Sequence, residues 1–158
     1  MIALVLAAAA TTALSAVHYD CTIDKQFVVN NQGGSWNNSQ VKFPGVESGD
    51  WKFAVDLNGS DDLTAKVAWA KDPIQIAGEH AALRIGQGSV AFVAVAGAPC
   101  MFTEQSCMSM VEIVDASDGT AVVSITPAGM SKDEQSEART LLQVTSLGTC
   151  KRSEGKIQ

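Results

Sequence analysis

The sequence predicts an all-β chain: a single antiparallel sandwich or small closed barrel of about eight to nine short strands, with at most one short helix. Three observations lead there. Beyond the N-terminal segment, hydrophobicity alternates with a period of two rather than 3.6. Turn signals such as Asn58-Gly59, Gly86-Gln87-Gly88 and Asp118-Gly119 recur between the alternating runs. Helix signals are confined to one place, where Ser131 and Glu134 fit a capping box and predict a short helix over Lys132 to Ala138.

The elements follow in order. Residues 1–16, MIALVLAAAATTALSA, carry no charge and are almost wholly apolar or small. Ile2 to Ala10 reads as the apolar core of a secretory signal, and Ala13 with Ser15, or Thr11 with Ala13, supplies small residues for cleavage. The run is shorter than the roughly 20 apolar residues of a membrane span. Its start lacks the Lys or Arg usual in a leader. The expectation is a signal peptide over 1–16, a secreted or periplasmic location, and no integral membrane segment. Residues 17–158 then form a single disulfide-stapled β domain with a short polar C-terminal tail, in which Cys150 to Arg152 and Lys156 are solvated.

Tyr19 to Val29 predicts a first strand ending at Asn30-Asn31-Gln32-Gly33-Gly34. Trp51, Phe53, Val55 and Leu57 fall on one face of a strand, and Leu63, Ala65, Val67 and Trp69 on one face of the next. Asn58-Gly59 between them predicts a hairpin, because both positions tolerate positive φ. Ile74 to Ala77 and Ala81 to Ile85 read as strands flanking a turn at Gly78 to His80. Ser89 to Ala96 is nearly continuous in apolar and small residues, which predicts a strand buried on both faces. Met110 to Ala116 and Thr120 to Pro127 form a hairpin, and Thr140 to Cys150 closes the domain.

The chain of 158 residues is 46% hydrophobic and 18% charged, enough apolar material for a packed core. Its formal charge of −6 argues against nucleic acid, which demands clustered Lys and Arg. The four cysteines, Cys21, Cys100, Cys107 and Cys150, suggest two disulfides in an exported domain. Four cysteines allow three pairings. Spacing and strand order favour Cys100–Cys107 around a loop and Cys21–Cys150 between the first and last strands.

That loop is the first candidate site. A staple would hold out Met101 and Phe102, and an ordered apolar tip loses little entropy on binding a partner. Trp36, in the polar stretch Gly33 to Gln40, reads as a loop residue and is the aromatic expected to be exposed. The same region offers a soft-metal alternative: Cys100, Met101, Cys107, Met108 and Met110 are five sulfurs suited to Cu(I). Met108 and Met110 also stand at strand spacing, where core packing is their ordinary role.

Catalytic signatures are poor. His18 falls beside the expected cleavage region and His80 in a turn. There is no G-x-S-x-G elbow. Ser39 to Lys42 matches S-x-x-K without companion motifs, and Glu47 with Asp50 is a carboxylate pair without a known separation. Asp56 to Asp62 departs from the calcium-loop pattern at Asp61 and Val67. Trp51 and Trp69 read as core, although they could line a cavity. No cofactor is implied.

A cysteine early in the mature chain, Cys21, and another near the end, Cys150, with strands between, give a layout that resembles the small periplasmic lysozyme inhibitors of the barrel type. The resemblance implies a barrel and an inhibitor-like role. The Ser-Gly and Tyr of those inhibitors' loop motif have no counterpart here, so no functional residue is carried over. The expected function is an exported, non-catalytic binding or inhibitor-like domain acting on an extracellular or periplasmic protein through the Cys100–Cys107 loop. The alternatives are a lipocalin-like carrier of a small apolar ligand, a copper-binding protein, and a hydrolase of unrecognised type.

Overall fold

Each strand lies antiparallel to its neighbours, and the last pairs with the first. The structure is a computed structural model and describes residues 16–32, 35–40, 47–59, 62–86, 88–99, 106–116, 118–132 and 139–155. The strands are β1 (Ala16–Gln32), β2 (Ser35–Gln40), β3 (Lys52–Asn58), β4 (Thr64–Ala68), β5 (Gly78–Arg84), β6 (Ser89–Pro99), β7 (Ser106–Asp115), β8 (Thr120–Lys132) and β9 (Arg139–Gly155). A single 3₁₀ turn, Ser48–Trp51, precedes β3. The expected leader lies outside the described residues except Ala16, which opens β1. Among the described residues no helix is long and apolar enough to cross a membrane.

β1 and β3 to β9 close an eight-stranded barrel, so the barrel alternative holds rather than the sandwich. Closure occurs where β1 pairs with β9, from Ala16 opposite Gly155 to Asn31 opposite Leu141. β1 is long enough to serve two partners on its other side: β3 over Val17 to Thr22, then β2 over Phe27 to Gln32. β2, β1, β9 and β8 therefore run on past the ring as a four-stranded extension at one end. A bulge between Ile23 and Lys25 bends β1 where the change occurs.

Period two becomes inside and outside. Val55, Val111, Val123 and Ile125 are fully buried on the barrel axis, and Ala65, Ala82, Ala94 and Ala121 fill its narrower places. The β3–β4 hairpin forms, with Asn58 opposite Thr64, but of the two turn residues only Gly59 takes positive φ, at +95°, while Asn58 is the last residue of β3. At the other end of β3 and β4, Trp69 stacks on Phe53 at 4.7 Å and meets Trp51 edge-on at 5.9 Å. Trp69 Nε1 donates to Asp50 O at 2.6 Å, and Lys71 Nζ stands 2.7 Å from Asp50 Oδ1. Asp50 Oδ2 also accepts from Glu47 N at 3.0 Å. The Glu47 and Asp50 carboxylates thus belong to a 3₁₀ turn, and Asp50 pins that turn to the β4–β5 connection.

Several expectations are corrected. Ile74 to Ala77 is not a strand. It is a loop that Asp72 ties by accepting from Ile76 N at 2.9 Å and Ala77 N at 2.6 Å. Positive φ at Asp72 and Gln75 turns Ile74 and Ile76 inward, where both are fully buried. Alternating apolar residues looked like a strand because the loop also buries every second side chain. The Gly78 to His80 turn is the start of β5. Ser131 and Lys132 continue β8 rather than starting a helix, while residues 133–138 lie outside the described residues. Cys150 to Gly155 is the end of β9, paired with β1, not a solvated tail.

Candidate functional site

The clearest departure from the sequence reading is β6. Val90, Phe92 and Ala94 face the axis, but Val93 and Val95 are 47% and 71% exposed. A single-layered barrel has no second sheet to cover its outer face, so an apolar run leaves half its side chains in water. The same correction applies to β7. Met108 and Met110 are 55% and 51% exposed, while Ser109 between them is buried. Register sets Val93 opposite Met110 and Val95 opposite Met108, two apolar cross-strand pairs on the outer wall.

This wall extends sideways. Leu83 of β5, Val114 of β7 and Val122 of β8 are also exposed, with Ile85 just past β5. Val114 stands opposite Val122, and Leu83 opposite Ala91. Among the described residues no large apolar side chain is exposed on β1, β3 or β4. Those strands show the solvent His18, Asp20, Lys52, Asp56 and Lys66 instead. β6 lies four places round the ring from β1, so the barrel has one apolar wall and one polar wall facing opposite ways.

The β6–β7 hairpin carries the predicted loop at its end. Pro99 pairs with Ser106, and Cys107 lies opposite Ala96. Cys100, Met101 and Phe102 fall outside the described residues, as does the pairing expected of Cys100 with Cys107. Trp36 lies in β2 opposite Asn31, so its stretch is a strand rather than a polar loop. For the copper alternative, Met108 and Met110 share the outer wall, while Cys100 and Met101 are outside the described residues. Among the described residues no group of three or more His, Cys, Asp or Glu is arranged to hold a metal ion.

Two titratable clusters lie elsewhere. His18 is not in a frayed terminus: its Nδ1 is 2.6 Å from Asp56 Oδ1 and its Nε2 is 3.3 Å from Asp20 Oδ1. The hydrogen bond with Asp56, seconded by Asp20, holds the imidazolium pKa above its usual value despite partial burial. His80 is on β5, not in a turn. Its Nε2 lies 2.8 Å from Ile76 O, and its ring stacks on Phe92 at 5.4 Å. These partners are carboxylates and a backbone carbonyl, so neither contact activates a nucleophile.

The second cluster closes the barrel at the short-turn end. Tyr19 OH donates to Asp115 Oδ1 at 2.8 Å. Arg152 Nε is 3.4 Å from Asp115 Oδ2, an ion pair out of line for a hydrogen bond, which leaves that buried nitrogen without a hydrogen-bond partner. Burial, followed by the bond to Asp115, pushes the Tyr19 hydroxyl up to about 12. Asp115 N donates to Gly88 O at 2.7 Å, and Arg152 N to Gly119 O at 2.9 Å, which ties the cluster to two turns. These contacts read as structural closure.

The disulfide joins Cys21 and Cys150, which are directly opposed on β1 and β9, with Cα atoms 4.0 Å apart. Both cysteines are 2% exposed. Searches of protein-family models and of curated proteins returned no match to this chain.

Proposed function

We propose that the protein is an exported, non-catalytic binding domain whose β6–β7 hairpin docks a protein outside the cytoplasm. One observation carries this reading. The hairpin presents Val93–Met110 and Val95–Met108 to solvent as paired apolar side chains and runs directly into the segment holding Met101 and Phe102. With Leu83, Ile85, Val114 and Val122, the wall offers on the order of 800 Å², about one partner's share of a standard interface. An apolar patch of that size on a monomer is a mark of an interaction site. The apolar leader and the Cys21–Cys150 disulfide support export to an oxidising compartment. A lipocalin-like interior has less support, because Ile74 and Ile76 of the β4–β5 loop and the Trp51, Phe53 and Trp69 cluster are packed into the core.

The test uses the immobilised mature protein against an extracellular or periplasmic extract. Wild type is compared with Phe102→Ala and with Val95→Asp/Met108→Asp. The captured protein is identified, purified and titrated directly. Two central apolar anchors contribute about 2 kcal/mol each, so the double variant is expected to weaken binding at least 100-fold at unchanged melting temperature. Equal affinity for wild type and the double variant would refute the docking wall. A wild-type dimer in light scattering that the double variant abolishes would assign the wall to a second copy of this chain instead.

A further inference from the structure

A cleft opens on the polar wall and extends across β9 to β8. It has a volume of about 760 Å³ and lies over the outer surface of β3, β1, β9 and β8. Register lays out its floor as two rows. Lys52, Thr22 and Thr149 are successive partners across β3, β1 and β9, and Asp20, Lys151 and Thr120 across β1, β9 and β8. The bulge between Ile23 and Lys25 lies next to Thr22, and Gly148 next to Thr149. A bulge bends the strand that carries it, and this one borders the cleft at Thr22.

The chemistry of the lining is one-sided. Among the described residues neither Lys52 nor Lys151 has an ion-pair partner. Two ammonium groups and the hydroxyls of Thr22, Thr120 and Thr149 therefore face one recess. Thr149 Oγ1 makes a long contact, 3.4 Å to Asp24 Oδ2. The Asp20 carboxylate is drawn toward His18 Nε2, 3.3 Å away, and is the one acidic group in the lining. Lys52 and Lys151 sit on β3 and β9 with β1 between them, so their long side chains can reach one ligand from two sides. Among the described residues lining the cleft, the one aromatic, Phe53, is buried on the axis and offers no outward face for stacking against a flat ring.

The geometry points to a binding site for a hydroxyl-rich small molecule that carries an oxyanion, such as an acidic or phosphorylated sugar. Lys52 and Lys151 hold the oxyanion, the three threonines bond the hydroxyls, and Asp20 accepts from one of them. The cleft volume is within the usual range for small-molecule sites, and the cleft meets the apolar wall only at β8, where Val122 stands opposite Thr149, leaving the Val93–Met110 and Val95–Met108 pairs of β6 and β7 free.

The test is an amide-resolved NMR titration of the mature protein with glucuronate, glucose 6-phosphate, inorganic phosphate and glucose. The expected result is saturable shifts at Asp20 to Thr22 and Thr149 to Lys151 with glucuronate or glucose 6-phosphate. Lys52→Ala/Lys151→Ala should bind at least tenfold more weakly than wild type, with an unchanged melting temperature. Glucose should also bind at least tenfold more weakly than the charged sugars. Equal affinity of inorganic phosphate and the charged sugars would remove the hydroxyl-binding role and overturn the assignment to a sugar. Non-saturating shifts with every probe, or equal affinities in wild type and the double variant, would overturn the site itself. None of these outcomes bears on the docking wall, whose variants lie on other strands.

Discussion

Removing the Cys21–Cys150 disulfide is the most informative perturbation of this fold, because it cuts the seam where the ring closes. The bond spans 129 residues of sequence, nearly the whole described chain. On the chain-entropy argument, a cross-link closing so long a loop destabilises the unfolded state by about 5 kcal/mol. Cys21→Ala/Cys150→Ala also leaves a small void at two positions 2% exposed, which adds about 1–2 kcal/mol. The hydrogen-bonded ladder from Ala16 to Asn31 remains, so the native barrel is expected to persist with unchanged far-UV circular dichroism. Urea unfolding should show a loss of roughly 5–7 kcal/mol, and the melting temperature should fall by roughly 10–20 °C. The m-value should rise, because an unlinked denatured chain exposes more surface. A loss below about 1 kcal/mol with an unchanged m-value would refute the reasoning. It would mean that the ladder alone holds the seam and that the unfolded chain is restricted by something other than this cross-link.

Three further predictions concern the seam and the titratable clusters. Tyr19 is the one tyrosine of the chain, so alkaline absorbance titration reports it alone, and its step should appear near 12 rather than 10.0 and move down in Asp115→Asn. Stability from its neutral form is complete below 10.0 and is lost as pH rises toward about 12; a step at 10.0 in the folded protein would contradict the burial of this hydroxyl. Gly148→Ala should destabilise by about 2–4 kcal/mol in urea, since the added Cβ would lie 2.1 Å from Thr22 O and 2.8 Å from Ile23 Cα, both backbone atoms that cannot swing away. For His18, the raised pKa means that its contribution is full below 6.5 and is lost as pH climbs through the folded value. The effect should stay under about 1 kcal/mol because the partly exposed pair is screened, and comparing urea midpoints at about pH 6 and about pH 8 should show a fall in wild type that Asp56→Asn lacks.

Much of the barrel was legible along the chain because its information is local. Alternation at Trp51 to Leu57 and Leu63 to Trp69 sets two strands, and Asn58-Gly59 sets the turn that pairs them, within a span too short for competing pairings. The Cys21–Cys150 pairing was legible from strand order, since a first and a last strand that carry cysteines become neighbours when a meander closes. The Ile74 to Ala77 loop was misread because burial, not backbone pairing, produces its pattern: Asp72 supplies by side chain the hydrogen bonds a partner strand would have given. His18 looked terminal because its two carboxylate partners, one of them 38 residues away, could not be placed beside it before β1 met β3.

The candidate surfaces divide in the same way. The sequence alone determined the strand period, the all-β class, the core aromatics Trp51 and Trp69, and the concentration of apolar residues at Ser89 to Ala96. These depend on a residue and its near neighbours. Only the tertiary structure decided that the sheet closes into a single layer, and therefore that Val93, Val95, Met108 and Met110 face water. It also decided that Lys52, Lys151 and three threonines from four strands line one recess. Alternation assigns each residue to one of two faces, but which face is buried depends on what packs against it, and that is a property of closure rather than of any segment.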